Sequence, residues 1–349
     1  MAFLSFSNVK FAGVAAAGPK IVKEIKDLSF FSPGEADKVI ALTHIERSRM
    51  VPKGMCCSDL CYEAAEQLIE RLQWNKQDIG ALIYVSLSRD YLTPHTSALL
   101  QDKLGLSKEC YAIDVPLACS GYVYGLSVIA GLMQNGGIKK GLLLVGETTS
   151  QPFDKTIWPL HGDGGTATAL EFNEGASPML FHFATDGSRG DAIINLDGGM
   201  RHPITEESMR MIEVEPGIIR NRTQSVLDGM NVFGFSIKEP PASIKSLTEH
   251  YDFSLDDIDY LILHQANKYM DDKIGKKLKV PADKIPFSLM QYGNTSSASI
   301  PITMVVGLGE KLSLEDADVV ICGFGSGLSW GSAYIKLDHI ICLPLIELD

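Results

Sequence analysis

Twice along the chain an apolar strand, a helix and a polar residue in a small-residue turn succeed one another at nearly the same interval. Each time a further helix and a further apolar strand come next. In the first run, Ala81-Leu-Ile-Tyr-Val-Ser precedes a helical stretch over 96–104, the apolar Tyr111-Ala-Ile-Asp-Val and then Cys119. A small-residue helix over Gly121–Met133 and the buried-type strand Gly141-Leu-Leu-Leu-Val-Gly complete it. In the second run, a helix over 242–251 leads into Tyr260-Leu-Ile-Leu-His264, and a helix over 269–278 comes after it. Gly293-Asn294 then heads a helix over 299–312, before the strand Val319-Val-Ile-Cys-Gly. From Val85 to Cys119 is 34 residues, and from His264 to Asn294 is 30. Alternation of this kind predicts an α/β fold. Its recurrence predicts an internal duplication of one unit.

Bulk properties narrow what such a fold can do. A net charge of −12 argues against nucleic acid as a partner, since phosphate binding needs clustered Lys and Arg. No apolar run reaches the roughly 20 residues of a membrane-spanning helix. Met1-Ala-Phe-Leu-Ser-Phe-Ser-Asn lacks the basic start of a signal peptide. Alternation of Leu4 and Phe6, then Val9 and Phe11 after one change of phase, reads as a first strand. The expectation is a cytoplasmic protein. The seven scattered cysteines are odd in number and unsuited to a disulfide framework. Cys56-Cys57-x-x-x-Cys61 has no second pair at zinc-like spacing, so it reads as small buried side chains on a helix over 59–72. Residues 185–222 carry Gly, Asp, Glu and Arg without periodicity and read as an excursion over the surface or above a site.

The residues that bear chemistry lie at strand ends, where open α/β sheets place their ligand sites. Cys119, in Pro116-Leu-Ala-Cys-Ser-Gly-Tyr, stands where a strand gives way to a helix. A helix N-terminus is expected to favour thiolate and lower the pKa. His264 closes an apolar strand, with Gln265 and Asn267 at hand to orient the imidazole. Asn294 lies in Tyr292-Gly-Asn-Thr-Ser-Ser-Ala-Ser, a turn that runs into a capped helix. A nucleophile with two neutral hydrogen-bond donors suits a reaction in which an enolate oxygen develops charge. Gly323-Phe-Gly-Ser-Gly-Leu-Ser-Trp-Gly adds backbone N–H groups after a strand, and it has neither the Lys nor the spacing of a phosphate loop.

Leu-Ala-Cys119-Ser-Gly, Gly162-Asp-Gly-Gly, His264-Gln-Ala-Asn, Tyr-Gly-Asn294-Thr-Ser-Ser-Ala-Ser and Gly325-Ser-Gly-Leu-Ser-Trp-Gly, in this order, resemble the β-ketoacyl-ACP synthase III family of thiolase-fold condensing enzymes. The resemblance spans about residues 45–336. It implies a five-layered αβαβα fold of two duplicated halves, residues 1–176 with the cysteine and 177–349 with the histidine and asparagine. It also implies a homodimer, no cofactor, and a two-stage reaction on acyl-CoA or acyl-ACP and malonyl-ACP. Cys119 takes the acyl group. His264 and Asn294 hold the enolate left when a malonyl thioester on acyl carrier protein loses CO2. The backbone N–H groups of Cys119 and Ser326 form the oxyanion hole, and Lys276 and Lys277 dock the carrier protein. Fatty acid initiation is the implied pathway. A secondary-metabolite condensing enzyme (polyketide or resorcinol type) taking longer or carrier-borne acyl groups is the alternative.

The chain departs from the family around the expected CoA site. Ala41-Leu-Thr-His-Ile45 replaces the usual Thr-Arg-Thr-Gly-Ile segment, and Lys38 stands where a Trp is expected. Lys155 replaces an Arg, and Tyr269 lies where another Arg is usual. Lysine cannot reproduce a stacked guanidinium contact. With Asn267 and Lys155, Thr93 is assigned to substrate binding; it stands where some members carry a Phe, so a longer or bulkier primer is expected.

Overall fold

Along one central strand Leu82 and Tyr84 alternate with Ile83 and Val85, and all four are fully buried. Such a strand must lie in a sheet covered on both faces. The computed structural model of the protein describes residues 2–149 and 155–349. Its main strands begin with β1 (Ala2–Phe6), β2 (Val9–Pro19), β3 (Ile79–Val85), β4 (Tyr111–Val115), β5 (Lys140–Glu147) and β6 (Gly164–Phe172). They continue with β7 (Met179–Thr185), β8 (Tyr260–Leu263), β9 (Ala317–Gly325), β10 (Ser329–Leu337), β11 (Ile341–Cys342) and β12 (Ile346–Leu348). The main helices are α1 (Glu35–Thr43), α2 (Cys57–Arg71), α3 (Thr96–Lys103), α4 (Gly121–Met133), α5 (Glu239–Tyr251), α6 (Lys268–Leu278) and α7 (Ser299–Leu314).

Two sheets result. The first runs β11-β2-β6-β5-β3-β4, with β12 also on β2, and the second runs β1-β7-β10-β9-β8. The pairing rule repeats. β3 lies parallel to β5, which is antiparallel to β6, which is antiparallel to β2. Likewise β8 lies parallel to β9, which is antiparallel to β10, which is antiparallel to β7. This is the expected duplication. β4, parallel to β3 on the outer edge, has no counterpart strand in the second sheet among the described residues.

Side-chain alternation builds the layers. Ile83, Val85, Leu143 and Val145 of the first sheet and Phe181, Ile262, Ile321 and Ile335 of the second share one core with α4 and α7, which lie between the sheets. Leu82, Tyr84, Leu142 and Leu144 face the other way, against α2 and α3. Leu261, Leu263, Val320 and Cys322 face out against α5 and α6. The order is therefore helix, sheet, helix, sheet, helix. Each fully buried Leu, Ile or Val contributes about 1.5–3 kcal/mol to holding it.

The N-terminus corrects one expectation. In place of a single strand with a phase change there are two, and they lie in different sheets. Asn8, at φ 65°, turns the chain between them. β1 pairs with β7 of the second sheet, while β11 and β12, at the other end of the chain, pair with β2 of the first. The chain's two ends thus cross between halves. The excursion after β7 holds two small two-stranded sheets, Ile193–Asn195 with Ser225–Leu227 and, between them in the chain, the hairpin Ile212–Glu215 with Ile218–Arg220.

Candidate active site

Chain direction sets the place of the site. β4 ends at Val115, the chain crosses Pro116-Leu-Ala, and Cys119 precedes the N-cap of α4. The end of β9 presses on it from the second half: a side chain on Gly325 would put its Cβ 2.5 Å from Cys119 Cβ and 3.1 Å from Sγ. Only glycine fits there. Beyond Gly325, the turn into β10 is tied down by Ser329, whose Oγ lies 2.7 Å from Ser120 Oγ and donates to the Ser326 carbonyl at 2.8 Å. The glycine-rich turn therefore lies against Cys119 and brings Ser326 into its neighbourhood.

His264 comes directly after β8, and its N–H donates to the Cys322 carbonyl at 2.8 Å. Its Nδ1 is 2.8 Å from Ser299 Oγ at the head of α7, and its ring stands edge-on to Phe324. The expected orienting residues do other work. Gln265 spans the Leu263 carbonyl and the Ser288 N–H, and Asn267 Oδ1 accepts the Met270 N–H and caps α6. Ser299 reaches the imidazole instead because α7 starts beside the strand end. Asn294 is fixed on both sides: its N–H donates to the Leu160 carbonyl at 2.8 Å, and its carbonyl accepts from Gly162 at 3.1 Å. Its Oδ1 accepts the Ser296 N–H at 2.8 Å, which leaves the amide NH2 as its outward donor.

Ser296 joins the three. Its N–H holds Asn294, its carbonyl accepts a hydrogen bond from His264, and its Oγ lies 3.8 Å from Cys119 Sγ. It does this at φ 52°, a left-handed conformation that costs a residue with a Cβ on the order of 1 kcal/mol or more. Behind it stands Glu147, the last residue of β5, almost wholly buried. Ser296 Oγ donates to Glu147 Oε2 at 3.3 Å. Glu147 Oε1 accepts from Ser86 Oγ, Leu87 N–H, Ser88 N–H and Ser88 Oγ at 2.8–2.9 Å. Ser296 and Glu147 were not foreseen from the sequence.

Burial governs the charges. It pushes the Cys119 thiol up to about 11, with the Glu147 charge adding to the shift and the Ser296 hydroxyl working against it. Desolvation of the thiolate thus works against the lowering expected at a helix N-terminus. Burial likewise pushes His264 down to about 3, the Ser296 carbonyl opposing and His161 reinforcing. His161, which bridges to Asn294, is pushed down to about 4 by burial, then by Lys23. Both imidazoles are therefore neutral near pH 7. Glu147 is raised, chiefly by burial and against its hydrogen bonds from Ser88 and Ser86.

The other expected residues lie farther out. Thr93 is exposed and lines a hollow with Ser86, Leu92, His95 and Asp114. Lys155 is paired with Glu35 of α1 at 3.0 Å. Lys276 and Lys277 are exposed on the last turn of α6, where their charge also suits the negative end of the helix. No helix among the described residues is long and apolar enough to cross a membrane, and none of their His, Cys, Asp or Glu clusters is placed to hold a metal.

Residues 113–187 match the family model described as 3-Oxoacyl-[acyl-carrier-protein (ACP)] synthase III, and residues 248–337 match that of its C-terminal region. A β-ketoacyl-[acyl-carrier-protein] synthase III of Streptococcus agalactiae is 33% identical over 333 residues, covering 94% of this chain and 99% of its own. One of Clostridium perfringens is 32% identical over 334 residues, covering 95% and 99%. The crystal structure of a 3-oxoacyl-(acyl-carrier protein) synthase from Burkholderia xenovorans superposes with a TM-score of 0.92 at 31% identity, covering 99% of each chain.

Proposed function

Since the chain belongs to the 3-oxoacyl-ACP synthase III family, we propose that it condenses an acyl thioester with malonyl-ACP to give a 3-oxoacyl-ACP, at the start of fatty acid synthesis in the cytoplasm. The observation that carries the reading is Ser296, one residue in contact with Cys119, His264 and Asn294 at once.

In the first stage the Cys119 sulfur attacks the primer's carbonyl carbon, and the primer's thiol leaves. Oxygen charge is met by the N–H groups of Cys119 and of Ser326 on the turn beyond Gly325. In the second stage malonyl-ACP loses CO2. Neutral His264 and the Asn294 amide donate to the enolate oxygen, which stabilises it without a metal. The enolate carbon then attacks the acyl group on Cys119, and the thiolate leaves. No cofactor enters, and CoA serves only as a carrier of substrate.

Two copies of the chain form the working unit. β4 is an open sheet edge with Tyr111 exposed on it, and Leu87, Tyr91 and Leu92 are exposed nearby; edge and apolar patch together invite a second copy. The hollow at Thr93 would then abut the partner and receive the primer's tail. Lys276 and Lys277 offer charge to the acidic carrier protein. A second reading, in which the primer arrives on a carrier protein in place of CoA, draws support from Lys155. Its ammonium is engaged by Glu35, which lessens its call on a CoA phosphate.

Intact-protein mass spectrometry across acyl-CoA and acyl-ACP donors tests the proposal. A mass shift of one acyl group in the wild type, absent in Cys119→Ala, is the expected result. An unmodified wild type with every donor would overturn it.

A further inference from the structure

Cys119 presents a difficulty that the three expected residues do not resolve. Its thiol is half-buried and desolvation pushes it up to about 11, and the imidazole of His264 is too weak a base to take its proton, since burial has already driven it down to about 3. A thioester is attacked by sulfur that has lost its proton or is losing it. Some group must accept that proton.

Among the described residues, the acid–base group joined to the thiol by hydrogen bonds is Glu147, through Ser296. Its two oxygens are used unequally. Oε1 accepts four hydrogen bonds, from Ser86, Leu87 and Ser88, which suffice to fix the carboxyl at the end of β5. Oε2 is aimed at Ser296 Oγ, and that hydroxyl touches Cys119 Sγ. Ser296 holds the hydroxyl there in a left-handed backbone conformation. An acid whose only task was to anchor residues 86–88 would need neither the second oxygen nor the strained serine.

We infer that Glu147, acting through Ser296, takes up the Cys119 proton during acylation and returns it to the departing thiol. The inference rests on the proposed role of Cys119. As the sulfur–acyl bond forms, the S–H bond breaks. The proton passes to Ser296 Oγ, and the Ser296 hydroxyl proton passes to Glu147 Oε2. The thioester's carbon–sulfur bond breaks, and the proton returns by the same path to the leaving thiolate. The sum is one thioester exchanged for another, with no net proton. Glu147 is a positioning residue in this scheme, and Ser296 is the group in contact with the reacting sulfur. Burial that raises the Glu147 carboxyl makes it a better acceptor than an exposed one.

Electrostatics alone predicts the reverse of this mechanism, which makes it testable. A bare negative neighbour raises the thiol's pKa, so Glu147→Gln would lower that pKa and speed the reaction at neutral pH. Single-turnover acylation by an acyl thioester and alkylation by iodoacetamide are followed from pH 6 to 10 in wild type, Glu147→Gln and Ser296→Ala. The expected wild-type rate is level with pH well below the thiol's pKa. Both variants should be slower at pH 7 by about a hundredfold, rising about tenfold per pH unit as only pre-formed thiolate reacts. A Glu147→Gln protein as fast as or faster than wild type at pH 7 overturns the relay, as does a Ser296→Ala protein with the wild-type pH profile. Should Glu147→Gln fail to fold, Ser296→Ala, which leaves the anchoring of residues 86–88 intact, decides alone. Iodoacetamide needs no substrate site, so its pH profile still tests the relay if no thioester acylates Cys119.

Discussion

β3 and β8 hold matching places in the two sheets, and so do β5 and β9, but the residues at their C-terminal ends have diverged. After β3 comes Ser86, and β5 ends in Glu147, which gathers Ser86 and Ser88 around a buried carboxyl. After β8 comes His264, and β9 ends in Gly325, which yields its space to Cys119. The first half thus supplies a thiol and a carboxyl, the proposed nucleophile and its proton acceptor; the second supplies an imidazole, an amide and bare backbone. One scaffold, used twice, sets opposite strand ends facing each other. Divergence at a few terminal residues then gives two kinds of chemistry on either side of one seam, with Ser296 reaching across.

That division is broken most severely by removing the second half's donors. His264→Ala and Asn294→Ala are each expected to lower malonyl-thioester decarboxylation by about 10²–10³-fold, while Cys119 still takes an acyl group in a single-turnover assay. Equal loss of both half-reactions would mean that the two halves do not divide the work.

Next in size is an acid effect at the seam. His161 from the first half and His264 from the second both lie below the ordinary 6.5, near 4 and 3. The unfolded chain takes up protons that these folded imidazoles refuse, so stability declines as pH falls from 6.5, on the order of 2–3 kcal/mol for each at pH 4.5. Glu147 and Asp163, raised by burial, oppose this as they protonate and shed a buried charge. The difference between wild type and His264→Asn isolates the imidazole. Urea unfolding at pH 6.5 and 4.5 should show a shallower pH dependence in the variant; identical dependence would remove His264 from the account.

The smallest expected effect sharpens the outer face of the second half. Lys276→Glu with Lys277→Glu should raise the KM for malonyl-ACP several-fold, with acylation by a small acyl-CoA unaltered. A KM unchanged for malonyl-ACP would leave these lysines as a solvated helix end.

Much of this was legible in the residues. The repeated strand–helix order gave the duplicated fold because alternation in a doubly covered strand leaves little choice of partner layer. Cys119, His264 and Asn294 stood out because each interrupts a pattern at a strand end or turn. Ser296 did not, since in Asn-Thr-Ser-Ser it looks like one more helix-capping hydroxyl, and only its φ of 52° sets it apart. Glu147 was hidden by reading the strand as ending at Gly146. A lone carboxyl closing an apolar strand was the available signal, given that its C-terminal end faces the ligand side. His161 comes after an irregular stretch, and its meeting with Asn294 depends on pairing between residues far apart in the chain. The crossing of β1 into the second sheet was likewise unreadable, because alternation fixes which face is buried and not which sheet receives it.

That crossing has a mechanical consequence. With β1 stitched to β7, and β11 and β12 stitched to β2, neither half can pull away without unzipping a strand that belongs to the other. The molecule is fastened at both ends of its own string, like a strap buckled to itself. Hinge opening, the usual way a two-lobed protein admits a substrate, is closed to it. Access to Cys119 must then come past a seam that stays shut, and not through its opening.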